Sequence, residues 1–302
     1  MNFTSTRIPY RQTGAFSRIV VDYIDQADTL KPFYAEAPSL QGIRKSIAAR
    51  QQFKGHRELL VQELKKQYEG LAIHPKVSAN LNALLSQDTF TITTAHQNNI
   101  FTGPLYFIYK IIHAIKLADT LNTSLPDYRF VPVYYIGSED ADLDELNHIR
   151  LNGEKLTWNT KQKGAVGRMK LDKQVTALIN QLEGQLGILP FGKEIINLIR
   201  ESYQEGSTLQ EATFRFVHAL FNEFGLLVLL PDNANLKRTM IPVFREELLQ
   251  QPAAAIIDKS AAALNEADYK VQASAREINL FYLKDDIRNR IEKKGEQYQV
   301  VD

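Results

Sequence analysis

The chain has 302 residues, of which 44% are hydrophobic and 24% charged, and its formal net charge is +1. That length supports a sizeable core and more than one structural unit, and the near-neutral charge gives no global pull toward nucleic acid or anionic lipid. There are no cysteines, which excludes disulfides, thiolate metal sites and a cysteine nucleophile.

The start of the chain lacks a basic region followed by an apolar block, so no signal peptide is expected. No apolar run is long enough to span a membrane. With no cysteines, these features fit a reducing compartment, and a cytoplasmic location is expected.

Residues 1–88 read as a helical N-terminal region. A short apolar run lies at 16–23, and Pro32 and Pro38 frame a loop. Residues 40–69 are strongly helical, broken near Gly55 and closed by Gly70, with Leu59, Leu60, Leu64 and Tyr68 at helical spacing. A further helix is expected over 76–85.

A strand–loop–helix–strand unit follows. Residues 90–94 are short and β-branched, as in a strand. The spacing predicts a helix over 104–121, opened by Pro104, whose missing N–H suits a first turn. Residues 130–136 read as a buried strand, so this unit implies a parallel pair with a right-handed crossover. Beyond it, Asn152-Gly153 signals a hairpin between apolar segments. Helices are expected over 173–183, 193–205 and 209–224, the last capped by Thr208 with Glu211. Residues 226–230 read as a buried parallel strand closed by the turn Pro231-Asp232-Asn233. Helices over 235–250 and 253–266 come next, then strands over 276–282 and 288–301. The final residues look like a strand with no close, as if the chain stops inside a larger protein.

The unusual residues of this pattern sit at the ends of the first two strands, where open α/β sheets bind ligands. His96, Gln97, Asn98 and Asn99 suit phosphate or nucleobase binding, or acid/base work. Thr102-Gly103 allows close backbone approach, and the helix start offers N–H groups to an anion. The same residues also suit a polar loop with a capping threonine and a turn glycine. Glu139, Asp140, Asp142, Asp144, Glu145, Asn147 and His148 form the densest acidic cluster. It suits Mg²⁺ with a nucleotide, or a substrate amine, or simply a solvated helix start.

Tyr106, Tyr109, Lys110 and His113 share one helical stripe, which either faces the site or faces solvent. Arg168, between glycines, suits an anion clamp or a surface turn. Arg276, Arg288 and Arg290 beside Phe281-Tyr282 fit an amphipathic strand pair better than a nucleic-acid surface. His56, His74 and His218 are isolated and read as structural. There is no GxGxxG, no Walker lysine, no GxSxG elbow and no supported zinc spacing, and no metal ligand is assigned.

Several runs together resemble the bacillithiol biosynthesis cysteine-adding enzyme family. They are Thr94-Ala95-His96-Gln97, residues 100–110, residues 131–136 with Glu139-Asp140, and Asp144-Glu145-x-Asn147-His148. Residues 164–169, 206–209, 225–229 and 279–283 extend the likeness along most of the chain. The departure is Ala95, where the family usually has glycine; a methyl at a tight turn there would alter φ or the approach of a ligand.

The resemblance implies an α/β fold: a Rossmann-like parallel sheet core with helices on both faces, inserted connective segments and the helical N-terminal region. On that plan, 1–88 packs on the core and 89–150 is its first part. Residues 151–205 form an inserted connective segment, and 206–302 continue the core and begin a further insertion. The implied activity is a ligase-type addition of L-cysteine to the amine of glucosaminyl-malate, with ATP as the natural energy source and ATP or ADP as the nucleotide. A homodimer through a C-terminal coiled coil is implied for the longer protein, with no nucleic-acid or membrane partner.

Under that resemblance His96, Gln97, Asp140 and His148 are the expected catalytic residues. Asn98, Thr102, Gly103, Tyr106, Lys110, Glu139, Asp144, Asn147 and Arg168 are the expected substrate contacts. Two other readings remain at this stage: a nucleotidyl- or phosphotransferase on the same core, and a non-catalytic nucleotide-binding or assembly protein.

Overall fold

The computed structural model describes residues 4–301. Two compact units are drawn from the chain, one from Met1–Lys54 with Arg245–Asn279 and the other from Gly55–Phe244 with Leu280–Asp302. In chain order the first elements are α1 (Tyr10–Thr13), α2 (Arg18–Ile24), α3 (Leu40–Gln51), α4 (Arg57–Gln67), α5 (Pro75–Ala83), β1 (Thr89–Gln97), α6 (Tyr106–Ser124) and β2 (Arg129–Gly137). Next are α7 (Leu143–Leu146), β3 (His148–Leu151), β4 (Glu154–Thr157), α8 (Lys173–Leu186), α9 (Gly192–Ser202), α10 (Leu209–Phe221) and β5 (Leu227–Leu229). The last are α11 (Ala234–Arg238), α12 (Ile241–Gln250), α13 (Pro252–Glu266), β6 (Phe281–Lys284), β7 (Ile287–Lys294) and β8 (Gln297–Val301). None of the described helices is long and apolar enough to cross a membrane.

The first unit is helical, and the buried carboxylate of Asp22 ties α1 and α2 to Tyr269. Asp22 accepts from Arg11 and Arg18, each at 3.1 Å, and from the Tyr269 hydroxyl at 3.0 Å. The Arg18 guanidinium lies 4.9 Å from the Tyr269 ring centre, a favourable cation–π position.

The second unit carries a three-stranded parallel sheet ordered β1-β2-β5. β1 pairs with β2 from Thr89↔Arg129 to Gln97↔Gly137, and β2 with β5 from Val133↔Leu227 to Tyr135↔Leu229. Central β2 is almost continuously apolar because both its faces are covered. α6 buries Phe107, Ile111, Ala114, Ala118 and Leu121 at helical spacing. Phe107 meets Tyr134 of β2 edge-on, with ring centres 5.4 Å apart. Each large side chain buried this way contributes about 1.5–3 kcal/mol.

The two borders of the sheet differ. Along β5, α4 supplies side chains in place of a further strand: Gln67 donates to Val228 O at 2.8 Å and accepts from Leu230 N at 2.9 Å, while the Tyr68 hydroxyl accepts from Val228 N at 2.8 Å. This satisfies backbone groups that a bare edge would leave unpaired. Along β1, Thr91, Thr93 and Ala95 are exposed while His96 on the opposite face is buried.

A second core gathers Ile100, Leu146, Trp158 and Val166 with the inner faces of α8, α9 and α10. The Trp158 indole donates to Asp172 at 3.0 Å. Thr208 and Glu211 close the expected capping box at the start of α10. β3–β4 is the expected Asn-Gly hairpin, and β6-β7-β8 is an antiparallel sheet.

Several boundaries differ from the sequence expectation. β1 runs three residues past Thr94, so His96 and Gln97 are strand residues in register with Ile136 and Gly137. Ala95 therefore pairs with Tyr135 in the ladder, and no tight turn exists there for its methyl to disturb. α6 starts at Tyr106, not Pro104, because Phe101 (φ 56°) and Gly103 (φ 60°) first turn the chain through left-handed conformations. The expected helix over 235–250 is two, α11 and α12, with Pro242 at the second position of α12, where its missing N–H is tolerated. The strand expected over 288–301 is a hairpin, β7 and β8, turned at Gly295 (φ 60°).

Candidate active site

β1 and β2 end side by side, and the backbone leaves both strands beneath one cleft of 530 Å³. His96 and Gln97 reach it from β1, Asn99 and Gly103 from the following loop, and Glu145, His148 and Arg150 from α7 and β3. That volume lies within the range of small-molecule sites.

The strand ends are tied across the ladder. Gln97 Nε2 donates to Asp140 Oδ2 at 2.6 Å and reaches Glu145 Oε2 at 3.4 Å. Asp140 Oδ1 accepts from the N–H groups of Ala141 (2.7 Å) and Asp142 (3.3 Å). Burial alone would raise the Asp140 carboxyl, but the bonds from Gln97 and the two amides outweigh it and hold the carboxyl below its ordinary range. Gly137 lets β1 and β2 approach closely at this point, since a Cβ there would lie 2.8 Å from His96 O.

His96 is buried, with 8% of its surface exposed. Its ring stacks on Tyr106 at 5.1 Å between centres and contacts Phe107 at 5.8 Å. Nδ1 lies 3.2 Å from Gln97 O, and Nε2 has no partner among the described residues. Burial, with Lys110 nearby, lowers the imidazole pKa, so the ring is neutral at pH 7. A neutral, buried, half-satisfied imidazole is suited to taking a proton from a bound group.

Two hydrogen bonds fasten the loop that follows. Tyr203 Oη donates to Phe101 O at 2.7 Å, and Ile100 N donates to Leu146 O at 2.9 Å. A Cβ on Gly103 would lie 2.7 Å from the Asn99 side chain. Asn99 Nδ2 donates to Glu145 O at 3.4 Å, and its Oδ1 is buried without a partner among the described residues.

The remaining residues singled out in the sequence are spread around this centre. Asn98 turns into the second core and donates to Thr213 at 2.6 Å, away from the cleft. Thr102 Oγ1 donates to its neighbour's carbonyl, Gly103 O, at 3.4 Å. Lys110 and Asp144 are exposed. Asp142 caps α7 by accepting from Glu145 N at 3.4 Å. His148 Nδ1 lies 3.2 Å from Asn147 Oδ1, and Asn147 O accepts from Trp158 N at 2.7 Å. Among the described residues no three His, Asp or Glu side chains converge as a metal site.

The neighbouring pair Glu139-Asp140 divides between two sites. Asp140 faces Gln97, whereas Glu139 faces the end of β5 and pairs with Lys237 of α11. Lys237 also donates to Asp232 Oδ1 at 2.7 Å. Arg168 grips Asp232 with Nε on Oδ2 at 2.5 Å and Nη2 on Oδ1 at 2.8 Å. Burial pushes the Asp232 carboxyl up, but Arg168 and Lys237 more than offset it, leaving it below the ordinary range. The close approach of this segment depends on Gly167, whose Cβ would lie 2.5 Å from Ser138.

Asp232 and Lys237 were not singled out in the sequence. The available signal was position: Asp232 follows a buried parallel strand, as Glu139 follows β2. Lys237, on a five-residue helix, carried none.

The family model for bacillithiol biosynthesis BshC, N-terminal Rossmann-like domain, matches residues 1–302. A protein of Flavobacterium psychrophilum named "Putative cysteine ligase BshC" is 40% identical over 296 residues, covering 97% of this chain and 55% of the relative. The protein of the same name from Cytophaga hutchinsonii is 38% identical over 299 residues, covering 99% and 55%. That from Salinibacter ruber is 30% identical over 302 residues, covering 96% and 54%. The chain spans about half the length of these curated relatives.

Proposed function

From the premise that this chain belongs to the bacillithiol biosynthesis BshC family through its N-terminal Rossmann-like domain, we propose that it forms the Rossmann-like part of a cysteine ligase. The reaction is the joining of the L-cysteine carboxylate to the amine of glucosaminyl-malate. Relatives bearing the cysteine-ligase name support the reaction class. The observation that carries the site is the convergence of His96, the Gln97–Asp140 pair and Glu145 at the adjoining ends of β1 and β2.

In this reading the amino-sugar occupies the cleft. An attacking amine must be neutral and must lose a proton as the amide bond forms. His96, held neutral with Nε2 free and buried, accepts that proton. Arg150 on the cleft wall complements the malate carboxylates. Gln97 and Asp140, already fixed by hydrogen bonds, orient the reactants without reorganising, which is how preorganised groups lower a barrier.

Joining a free carboxylate to an amine is uphill in water, and a bound nucleotide would supply the leaving group. The loop after β1 makes no glycine-rich phosphate cradle, since Gly103 is packed on Asn99 and its N–H donates to Ile100 O at 3.2 Å. No nucleotide contact is assigned to that loop. The test is to incubate the full-length protein with L-cysteine, glucosaminyl-malate and ATP and to follow the product by mass spectrometry. Appearance of bacillithiol supports the reading; unchanged substrates would refute it.

A further inference from the structure

The four-residue charge chain at the ends of β2 and β5 is not absorbed by the cleft chemistry. Its two halves are unlike. Asp232 is fixed: its side chain is 6% exposed, both its oxygens are bonded, and Arg168 holds it with two donors. The pair of Glu139 and Lys237 is looser: their side chains are 42% and 32% exposed, and Lys237 is Glu139's one ion-pair partner among the described residues. A part-exposed pair of this kind adds little net stability, so it opens at little cost. When it opens, Asp232 still holds Lys237 at the strand end.

Resting on the cysteine-ligase reading, we propose that Glu139 and Lys237 are the α-amino-acid site, and that a zwitterion binds by exchanging into their salt bridge. The incoming ammonium takes the place of Lys237 on Glu139. The incoming carboxylate takes the place of Glu139 on Lys237. Both side chains remain paired and the total charge is unchanged, so no charge is left buried and alone. An amine without a carboxylate, or a carboxylate without an amine, would satisfy one side chain and strand the other. Specificity for a zwitterion thus follows from the resting pair itself.

The placement agrees with the rest of the site. Glu139 is bonded in sequence to Asp140, which accepts from Gln97 on the wall of the amino-sugar cleft. The carboxylate held by Lys237 therefore lies beside the strand end from which the second substrate is presented. Asp232 and Arg168 do not touch the amino acid; they are positioning residues that keep Lys237 at the end of β5.

The experiment uses the full-length protein, with calorimetric binding and turnover measured separately. The ligands are L-cysteine, cysteamine and 3-mercaptopropionate. L-cysteine is expected to bind at least tenfold more tightly than either one-charge analogue. Lys237→Met and Glu139→Gln should each weaken L-cysteine binding about tenfold or more, the scale of a lost charged hydrogen bond. The KM for glucosaminyl-malate should stay within about twofold, and Lys237→Arg should restore part of the cysteine affinity. Thermal melts show which variants are folded; if Lys237→Met is not, Glu139→Gln and Lys237→Arg decide. Turnover with cysteine affinity independent of both residues would overturn the exchange site and leave the ligase reading standing. Cysteine binding that depends on both residues without any ligation would do the reverse. Equal loss for both substrates would also overturn it, since that marks a merely structural role.

Discussion

Gln97 at the end of β1 donates to Asp140, just beyond β2, at 2.6 Å, so one hydrogen bond joins the two strand ends on which the candidate site is built. Asp140 is held ionised by it and by two backbone amides. Replacing Gln97 with Leu removes the side-chain donor and leaves the amides. The expected loss is about 1 kcal/mol of stability, measured by urea unfolding, with a fall in turnover of tenfold or more. Unchanged turnover in a folded Gln97→Leu variant would remove the pair from the mechanism.

Gln67 does the work of a neighbouring strand at the border of β5. Gln67→Ala exposes Val228 O and Leu230 N without a partner. A cost of about 1–3 kcal/mol is expected, with faster amide exchange at Leu230 as the local sign. Hydrogen-exchange mass spectrometry over residues 226–232 checks this, and exchange unchanged there would show that water replaces the glutamine without cost.

Gly103 and Ala95 make opposite predictions. Gly103 has φ 60° and no room for a Cβ beside Asn99. Gly103→Ala should cost about 1–3 kcal/mol and loosen the loop that forms the cleft wall. Ala95 lies in the ladder opposite Tyr135, so Ala95→Gly should cost only about 0.5–1 kcal/mol and leave substrate KM unchanged. Thermal melts with steady-state kinetics separate the two.

Glu63 ties α4 to the start of α11. Its carboxylate accepts from Lys66 at 2.7 Å, Asn233 at 2.9 Å and Asn235 at 3.0 Å. Led by Lys66, these bonds lower its pKa from 4.5 to about 2. The unfolded chain therefore binds this proton first, and the stabilisation is complete above about pH 4.5 and lost as pH falls toward 2. The difference in Tm between the protein and Glu63→Gln should be constant above pH 5 and shrink below it. A difference independent of pH would show that the carboxylate's charge contributes nothing.

The apolar patterns of β2 and α6 were legible because period and burial coincide there. The Thr208–Glu211 cap was legible because it is local, needing only residues three apart. The end of β1 was not, since His96 and Gln97 are polar and only their register with Ile136 and Gly137 makes them strand. The start of α6 was missed for a related reason: Pro104 suits a first turn, but two left-handed residues before it delay the helix. Glu139 and Asp140 read as one acidic cluster, yet successive residues leave a strand end in different directions, and each found its own partner. Asp232 and Lys237 needed the third strand in place before their relation to Glu139 could appear. Asn98 has the same chemistry as Asn99 and the opposite direction, which only packing against α10 decides.

The most direct test of the account compares the full-length protein with its His96→Ala variant in the presence of L-cysteine, glucosaminyl-malate and ATP, following bacillithiol by mass spectrometry. The unaltered protein is expected to give product, and a variant that still folds a rate lower by about 10²–10⁴, the scale of a lost acid/base group. Full activity in folded His96→Ala, or no product from the unaltered protein, would contradict that expectation.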